Sequence, residues 1–313
     1  MTSVERIATY ADLPPEAGYR STLDNHKDVM AAQARDADAA DAAGTAGTGA
    51  GAGGGRVEVK GLRVQYRDDQ ATPVIADLSL AIPAGLKVAV VGRTGCGKST
   101  FLQALLRLNV VSAGDILLDG ESLLAMDLER ARSVVSVIPQ DPHLFSGTVR
   151  FNLDPFSRYS DAQVWAALED AHIKNYVQSD PNGLMSAVEE GGKNFSVGQR
   201  QLLSLARAIL RRCKVVLMDE VTASIDYATD RLIQQTIRTT MKNATIITVA
   251  HRLLTVADSD VVVVLEPGGS IGEMGVPAEL LALKEGGLFY ALAKQSNELE
   301  EISRIAAAKA RVE

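Results

Sequence analysis

The stretch from Val88 to Phe101, VAVVGRTGCGKSTF, constrains this chain more than any other. A short apolar run ends at Gly92; Arg93, Thr94, Gly95, Cys96 and Gly97 follow. Lys98, Ser99 and Thr100 then open a helix-forming run that continues through Leu102 to Leu106. Strand, glycine loop and helix in that order make the phosphate cradle G-x-x-x-x-G-K-[ST]. The glycines let successive backbone N–H groups turn inward on phosphate oxygens without Cβ clashes. The helix dipole and its free first-turn N–H groups add anion affinity. Lys98 reaches the terminal phosphates, the Ser99 hydroxyl ligates Mg²⁺, and Thr100 contacts an inner phosphate. Cys96 lies inside the loop, where bound nucleotide is expected to shield it from alkylation. The chain therefore reads as a nucleotide-binding protein.

Composition narrows the setting. The chain has 313 residues, 46% hydrophobic and 23% charged. That is enough for one globular domain of about 240–250 residues with an ordinary core. A net charge of −7 with no dense Lys/Arg block argues against nucleic acid as a partner. Cys96 and Cys213 cannot build a disulfide framework and point to a reducing, cytosolic environment. The longest apolar run, Val261 to Leu265, falls far short of the ~18 residues of a membrane helix. The amino terminus has no apolar signal core. The segment itself reads as soluble.

Residues 1–35 mix charge with isolated apolar residues, and Leu13-Pro14-Pro15 forces an extended turn. Residues 36–55 collapse to a mainly Ala/Gly composition that cannot offset its own chain entropy, so they read as a disordered linker. From Arg56, Val57, Val59, Leu62, Val64 and Tyr66 alternate around Gly61 as two short strands joined by a bend. Val74 to Ile82 alternates again. Tyr66, just ahead of the phosphate loop, is either an adenine-stacking ring or an ordinary strand aromatic. Gln140 follows the strand Val134–Ile138 between Pro139 and Pro142, at a position where open α/β sheets hold ligands. Its carbonyl oxygen either ligates Mg²⁺ or satisfies the loop backbone.

Apolar residues at helical spacing from Ser160 to Ser179 predict a helical insertion. Ser196-Val197-Gly198-Gln199 follows, ahead of a long helix read from Gln201 to Arg211. Ser196 and Gln199 fit a capping box, and the same helix end could present Ser196 and the Gly198 amide to a phosphate. The apolar strand Val215–Met218 ends in Asp219-Glu220. Two carboxylates there suit Mg²⁺ held through water by Asp219 and a proton accepted from the attacking water by Glu220. A further strand delivers His251, either a phosphate contact or a satisfied core histidine. Val261–Leu265 and Ser270–Ile271 flank a Pro-Gly-Gly turn as a hairpin, and the remainder reads as helical with a fraying, charged end.

Taken together these stretches resemble the nucleotide-binding domain of ABC transporters over about Arg56 to Gln295. Tyr66 matches the family's adenine aromatic, Gly92 to Thr100 its Walker A loop, and Gln140 its Q-loop glutamine. Phe195 to Gln199 match its signature, Val215 to Glu220 its Walker B strand, Ala223 to Asp226 its D-loop, and His251 its switch histidine. Phe145 to Pro155, the Ser-Val-Gly-Gln signature and the leading Ser3 to Ala17 resemble subfamily C, the multidrug-resistance-associated group, and its second nucleotide-binding domain. Phe195 and Val197 replace the leucine and glycine of the widespread signature.

The resemblance implies an α/β fold. A P-loop NTPase core with a mostly parallel sheet would carry an N-terminal antiparallel β-subdomain and an α-helical insertion. It implies ATP and Mg²⁺ as cofactors, Glu220, His251 and Gln140 as catalytic residues, and Ser99, Gln140 and Asp219 as Mg²⁺ ligands. Residues 1–35 would be a linker from a preceding membrane domain, 56–298 the ATP-binding domain, and 299–313 a charged helical tail. Ser196 to Gln199 and Asp226 would close over nucleotide held by a second such domain, packed head to tail. Transmembrane domains in the same longer polypeptide would complete an exporter of organic anions, conjugates or drugs, with this segment on the cytoplasmic face of a membrane. The rivals are a regulatory ATP-binding module gating a channel or partner, and a soluble non-transport ATPase of the same family.

Overall fold

The computed structural model describes residues 54–66, 72–219, 227–250 and 252–310. In chain order its strands are β1 (Val57–Gln65), β2 (Ile75–Ile82), β3 (Lys87–Gly92), β4 (Val110–Leu118), β5 (Glu121–Ser122) and β6 (Val135–Ile138). They continue with β7 (Gly147–Thr148), β8 (Ala187–Val188), β9 (Val215–Asp219), β10 (Thr245–Val249), β11 (Val261–Leu265) and β12 (Ile271–Gly275). The helices are α1 (Lys98–Leu105), α2 (Leu128–Ser133), α3 (Val149–Leu153), α4 (Asp161–Asp170) and α5 (Lys174–Ser179). After them come α6 (Val197–Arg211), α7 (Tyr227–Thr240), α8 (Pro277–Ala282), α9 (Leu288–Gln295) and α10 (Leu299–Lys309). None is long and apolar enough to cross a membrane among the described residues.

Two sheets dominate. One is antiparallel, in the order β2-β1-β4-β5; the other runs β12-β11-β3-β10-β9-β6 and is parallel except for its edge strand β12. The near-continuous apolar runs of β3, β9, β10 and β11 suit strands covered on both faces. Alternate residues do go to opposite sides. Val88, Val90, Leu217 and Val249 join a core shared with the antiparallel sheet and α1. Val216, Met218 and Ile246 join the core under α4 and α6, and Ala89, Val91, Val262 and Val264 pack under α8 to α10.

Three elements differ from the sequence reading. The two strands expected around Gly61 are one strand, β1, with a register shift between Val59 and Leu62 against β2. The helical insertion expected over Ser160 to Ser179 consists of α4 and α5, parted where His172 takes the left-handed conformation (φ 58°). Helix α6 starts at Val197 rather than Gln201, as its capping box requires: Gln199 N–H donates to Ser196 Oγ and Ser196 N–H to Gln199 Oε1. Helix α10 docks instead of fraying, with Ile302 and Ala306 buried in the third core. Its charge pattern hides an apolar stripe at three- and four-residue spacing. The fold also takes in Gly54 and Gly55, the last residues of the Ala/Gly tract. Thr245 Oγ1 donates to Gly55 O (2.7 Å), and a Cβ at Gly54 would strike Gly85 N at 2.4 Å.

The helical insertion turns on Asp154, which is buried. It accepts from Arg158 N–H (3.0 Å), Tyr159 N–H (2.9 Å) and the Arg150 guanidinium (3.0 Å), closing the turn that leads into α4. Burial alone would raise its carboxyl; the two N–H donors and Arg150 outweigh it and hold the group below the ordinary value. A depressed folded value contributes stability above the unfolded pKa of about 3.9, lost as pH falls through the folded value. Asp154→Asn is expected to cost about 1–2 kcal/mol at neutral pH, with the difference from wild type shrinking below pH ~4. Urea unfolding at two pH values checks this; equal stability at neutral pH would contradict it.

Candidate functional site

The phosphate loop follows from where β3 ends. Gly92 (φ 149°) lies so close to β11 that a Cβ there would meet Leu265 O at 2.4 Å and Cys96 Sγ at 2.8 Å. Gly97 (φ 100°) is the N-cap of α1, and its carbonyl accepts from Phe101 N–H. The first turn of α1 carries no acidic residue, so nothing opposes an anion at its free N–H groups. Lys98 is 5% exposed, and its ammonium donates to Gly92 O (2.9 Å) and Arg93 O (3.1 Å), drawn across the loop. Arg93, Thr94, Gly95 and Ser99 are exposed at the rim, whereas Thr100 is buried. Cys96 departs from expectation. It is 1% exposed and belongs to the core, so the fold itself shields this thiol and nucleotide has little left to protect.

Tyr66 is 56% exposed, and its hydroxyl is 2.9 Å from Thr100 Oγ1. An aromatic face open to solvent is thereby tethered to the loop's last hydroxyl, which suits stacking on a base and not a core role.

Parallel pairing gathers the rest. β3 neighbours β10, β10 neighbours β9, and β9 neighbours β6, all in the same direction. Their carboxyl ends therefore share one sheet edge. Val249 pairs with both Val90 and Asp219, and Ile138 pairs with Met218. The phosphate loop, half-buried Asp219 and the Gln140 loop thus leave the sheet side by side. Glu220, the Ala223–Asp226 link and His251 lie outside the described residues.

The Gln140 loop is held from below. Gln201, 1% exposed on α6, donates its amide to Gln140 O (2.7 Å) and Pro139 O (3.2 Å), while the Gln140 side chain is exposed. Arg207, six residues on, donates to Asn152 O (2.6 Å), Asn152 Oδ1 (2.8 Å) and His143 O (3.3 Å). Neither residue stands out in the sequence reading. The available signal was a polar side chain on the apolar side of a helix that, counted from its capping box, begins four residues earlier. Ser196, Val197, Gly198 and Gln199 form the accessible amino end of α6. Phe195 is buried beneath them in edge-to-face contact with Tyr176 (5.6 Å). Gly198 packs on α7, where a Cβ would reach the Thr229 side chain at 3.1 Å.

The residues present fit ATP and Mg²⁺. The loop opens into α1, whose first turn carries no acidic residue, and Ser99, Gln140 and Asp219 supply oxygen donors, as a hard cation prefers. No cluster of three or more His, Cys, Asp or Glu side chains suited to a metal occurs among the described residues. Two described cavities, about 540 and 460 Å³, sit at the opposite sheet edge, beside Lys87 and Lys214 respectively.

Residues 75–223 match the ABC transporter family. The chain is 41% identical over 297 residues to a probable multidrug resistance-associated protein, lethal(2)03659, of Drosophila melanogaster, covering 95% of this chain and 20% of that protein. It is 46% identical over 242 residues to ATP-binding cassette sub-family C member 2 of Rattus norvegicus, covering 77% and 15%. The chain thus spans 15–20% of the length of these relatives. Among solved structures, a bacterial Atm1-family ABC exporter with ATP bound aligns with a TM-score of 0.71 at 32% identity, covering 78% of this chain and 42% of that one.

Proposed function

This chain carries an ABC transporter ATP-binding domain of the multidrug resistance-associated type, and we propose that it hydrolyses MgATP to power export through membrane domains outside this sequence. The observation that carries the proposal is the shared sheet edge on which β3, β9 and β6 place the phosphate loop, Asp219 and the Gln140 loop.

Adenine stacks on the open face of Tyr66. The α1 amides and Lys98 take the phosphates, Lys98 exchanging its two loop carbonyls for phosphate oxygens. Ser99, Gln140 and, through water, Asp219 would hold Mg²⁺, which would supply neutralisation of the charge that builds on the phosphoryl groups. Glu220 accepts the proton of the attacking water. His251 steadies the γ-phosphate. Water oxygen bonds to γ-phosphorus as the bond to the bridging oxygen breaks, releasing ADP and phosphate. The accessible Ser196–Gln199 helix end, together with Asp226, completes the site of a second such domain packed head to tail. The substrates exported are organic anions, conjugates or drugs, and the chain works at the cytoplasmic face of a membrane.

Equilibrium ATP binding tests the nucleotide half of this reading. A lost base–aromatic stack costs on the order of 1–3 kcal/mol, so Tyr66→Ala should weaken ATP binding roughly five- to 150-fold. An unchanged dissociation constant would remove Tyr66 from the site.

A further inference from the structure

Gln201 carries an uncommon burden for a residue on the buried side of a helix. Its amide nitrogen faces two backbone carbonyls, which fixes the orientation of the group. Its Oε1 is left buried with no partner among the described residues. A buried acceptor without a donor weakens a fold, so an apolar side chain of the same size would serve packing at least as well. What Gln201 supplies instead is a direct link. Its acceptors are the backbone of Pro139 and Gln140, and its own helix opens with the Ser196–Gln199 capping box one turn earlier. The neighbouring Arg200 adds to the link: it donates to Phe195 O (3.2 Å), and its guanidinium stands 3.8 Å from Asp141. The two segments are therefore tied to each other directly, while the Gln140 side chain itself remains exposed.

We propose that Gln201 is a positioning residue that locks the Gln140 loop to the amino end of α6, coupling one ATP site to the other. This rests on the two-domain reading above. In it, Gln140 serves the chain's own phosphate loop and Ser196 serves the partner's nucleotide. Nucleotide that draws Gln140 inward pulls α6 with it and sets the helix end presented across the interface.

The test uses the 313-residue chain with Gln201→Met, which keeps the volume and deletes the donor, and Gln201→Asn, which keeps the amide but is one methylene too short. ATP hydrolysis is measured against ATP concentration, alongside amide exchange of residues 139–144 and the thermal midpoint. For wild type the expected Hill coefficient exceeds one. For both variants it should fall to one, with ATP affinity within about two-fold of wild type, turnover lowered about ten-fold, and loop exchange about ten-fold faster. If Gln201→Met unfolds, Gln201→Asn carries the same comparison. Cooperative variants beside a cooperative wild type would overturn the coupling role alone. Uncooperative hydrolysis by wild type, at a rate per chain independent of concentration, would overturn the two-domain reading and the coupling with it. Loop exchange unchanged in both variants would overturn the lock.

Discussion

Glu220→Gln is expected to lower ATP turnover by about 10²–10⁴-fold while ATP still binds, the range for loss of a positioned general base. Glutamine matches glutamate in shape but cannot take the proton of the attacking water. The groups proposed to bind ATP are elsewhere: Lys98 and Thr100 on α1, and Tyr66 at the end of β1. Glu220 directly follows Asp219, the last residue of β9, whose register against Val249 puts this strand end beside the phosphate-loop strand. Single-turnover phosphate release together with ATP affinity separates the two effects. Full turnover in the variant would move the base to another residue.

Arg207→Met should destabilise the fold by about 3 kcal/mol, the largest stability effect expected outside the apolar cores. Burial lowers this guanidinium from its ordinary value to about 10, and it donates to two backbone carbonyls and an amide oxygen. Methionine replaces the stem but leaves the carbonyls of His143 and Asn152 short of a donor. Relief from burying a cation offsets part of that loss. Arg207→Lys should rescue little, because one ammonium cannot reproduce a planar fork aimed at separate acceptors. The urea midpoint reads this directly, and an unshifted midpoint would contradict it. The consequence for function is local, since Arg207 and Gln201 both anchor the segment from Pro139 to Asn152 on which the Gln140 loop rides.

The sequence conveyed the parts governed by short-range rules. The phosphate loop, the apolar strands, the Ser196 cap and the Gly268 turn depend on neighbours within a few residues. They were legible for that reason. Long-range contacts were not. Gly61 reads as a strand break, yet pairing with both β2 and β4 shifts register there and resumes beyond it, so β1 continues as one strand. Cys96 reads as a reactive loop thiol, but β11 and the core close over it. The charged residues of α10 suggest fraying until Phe289 and Ile302 are placed in one core. Gln201 and Arg207 reach backbone carbonyls roughly sixty residues earlier in the chain. No local pattern announces such a partner.

The central claim, hydrolysis of ATP by two such domains closing on each other, is tested most directly by phosphate release as the concentration of the chain is raised. The rate per chain is expected to climb with concentration toward a plateau and to fall to background in Glu220→Gln. ATP bound at wild-type affinity with release at that background level at every concentration would contradict it, leaving a domain that binds ATP without spending it.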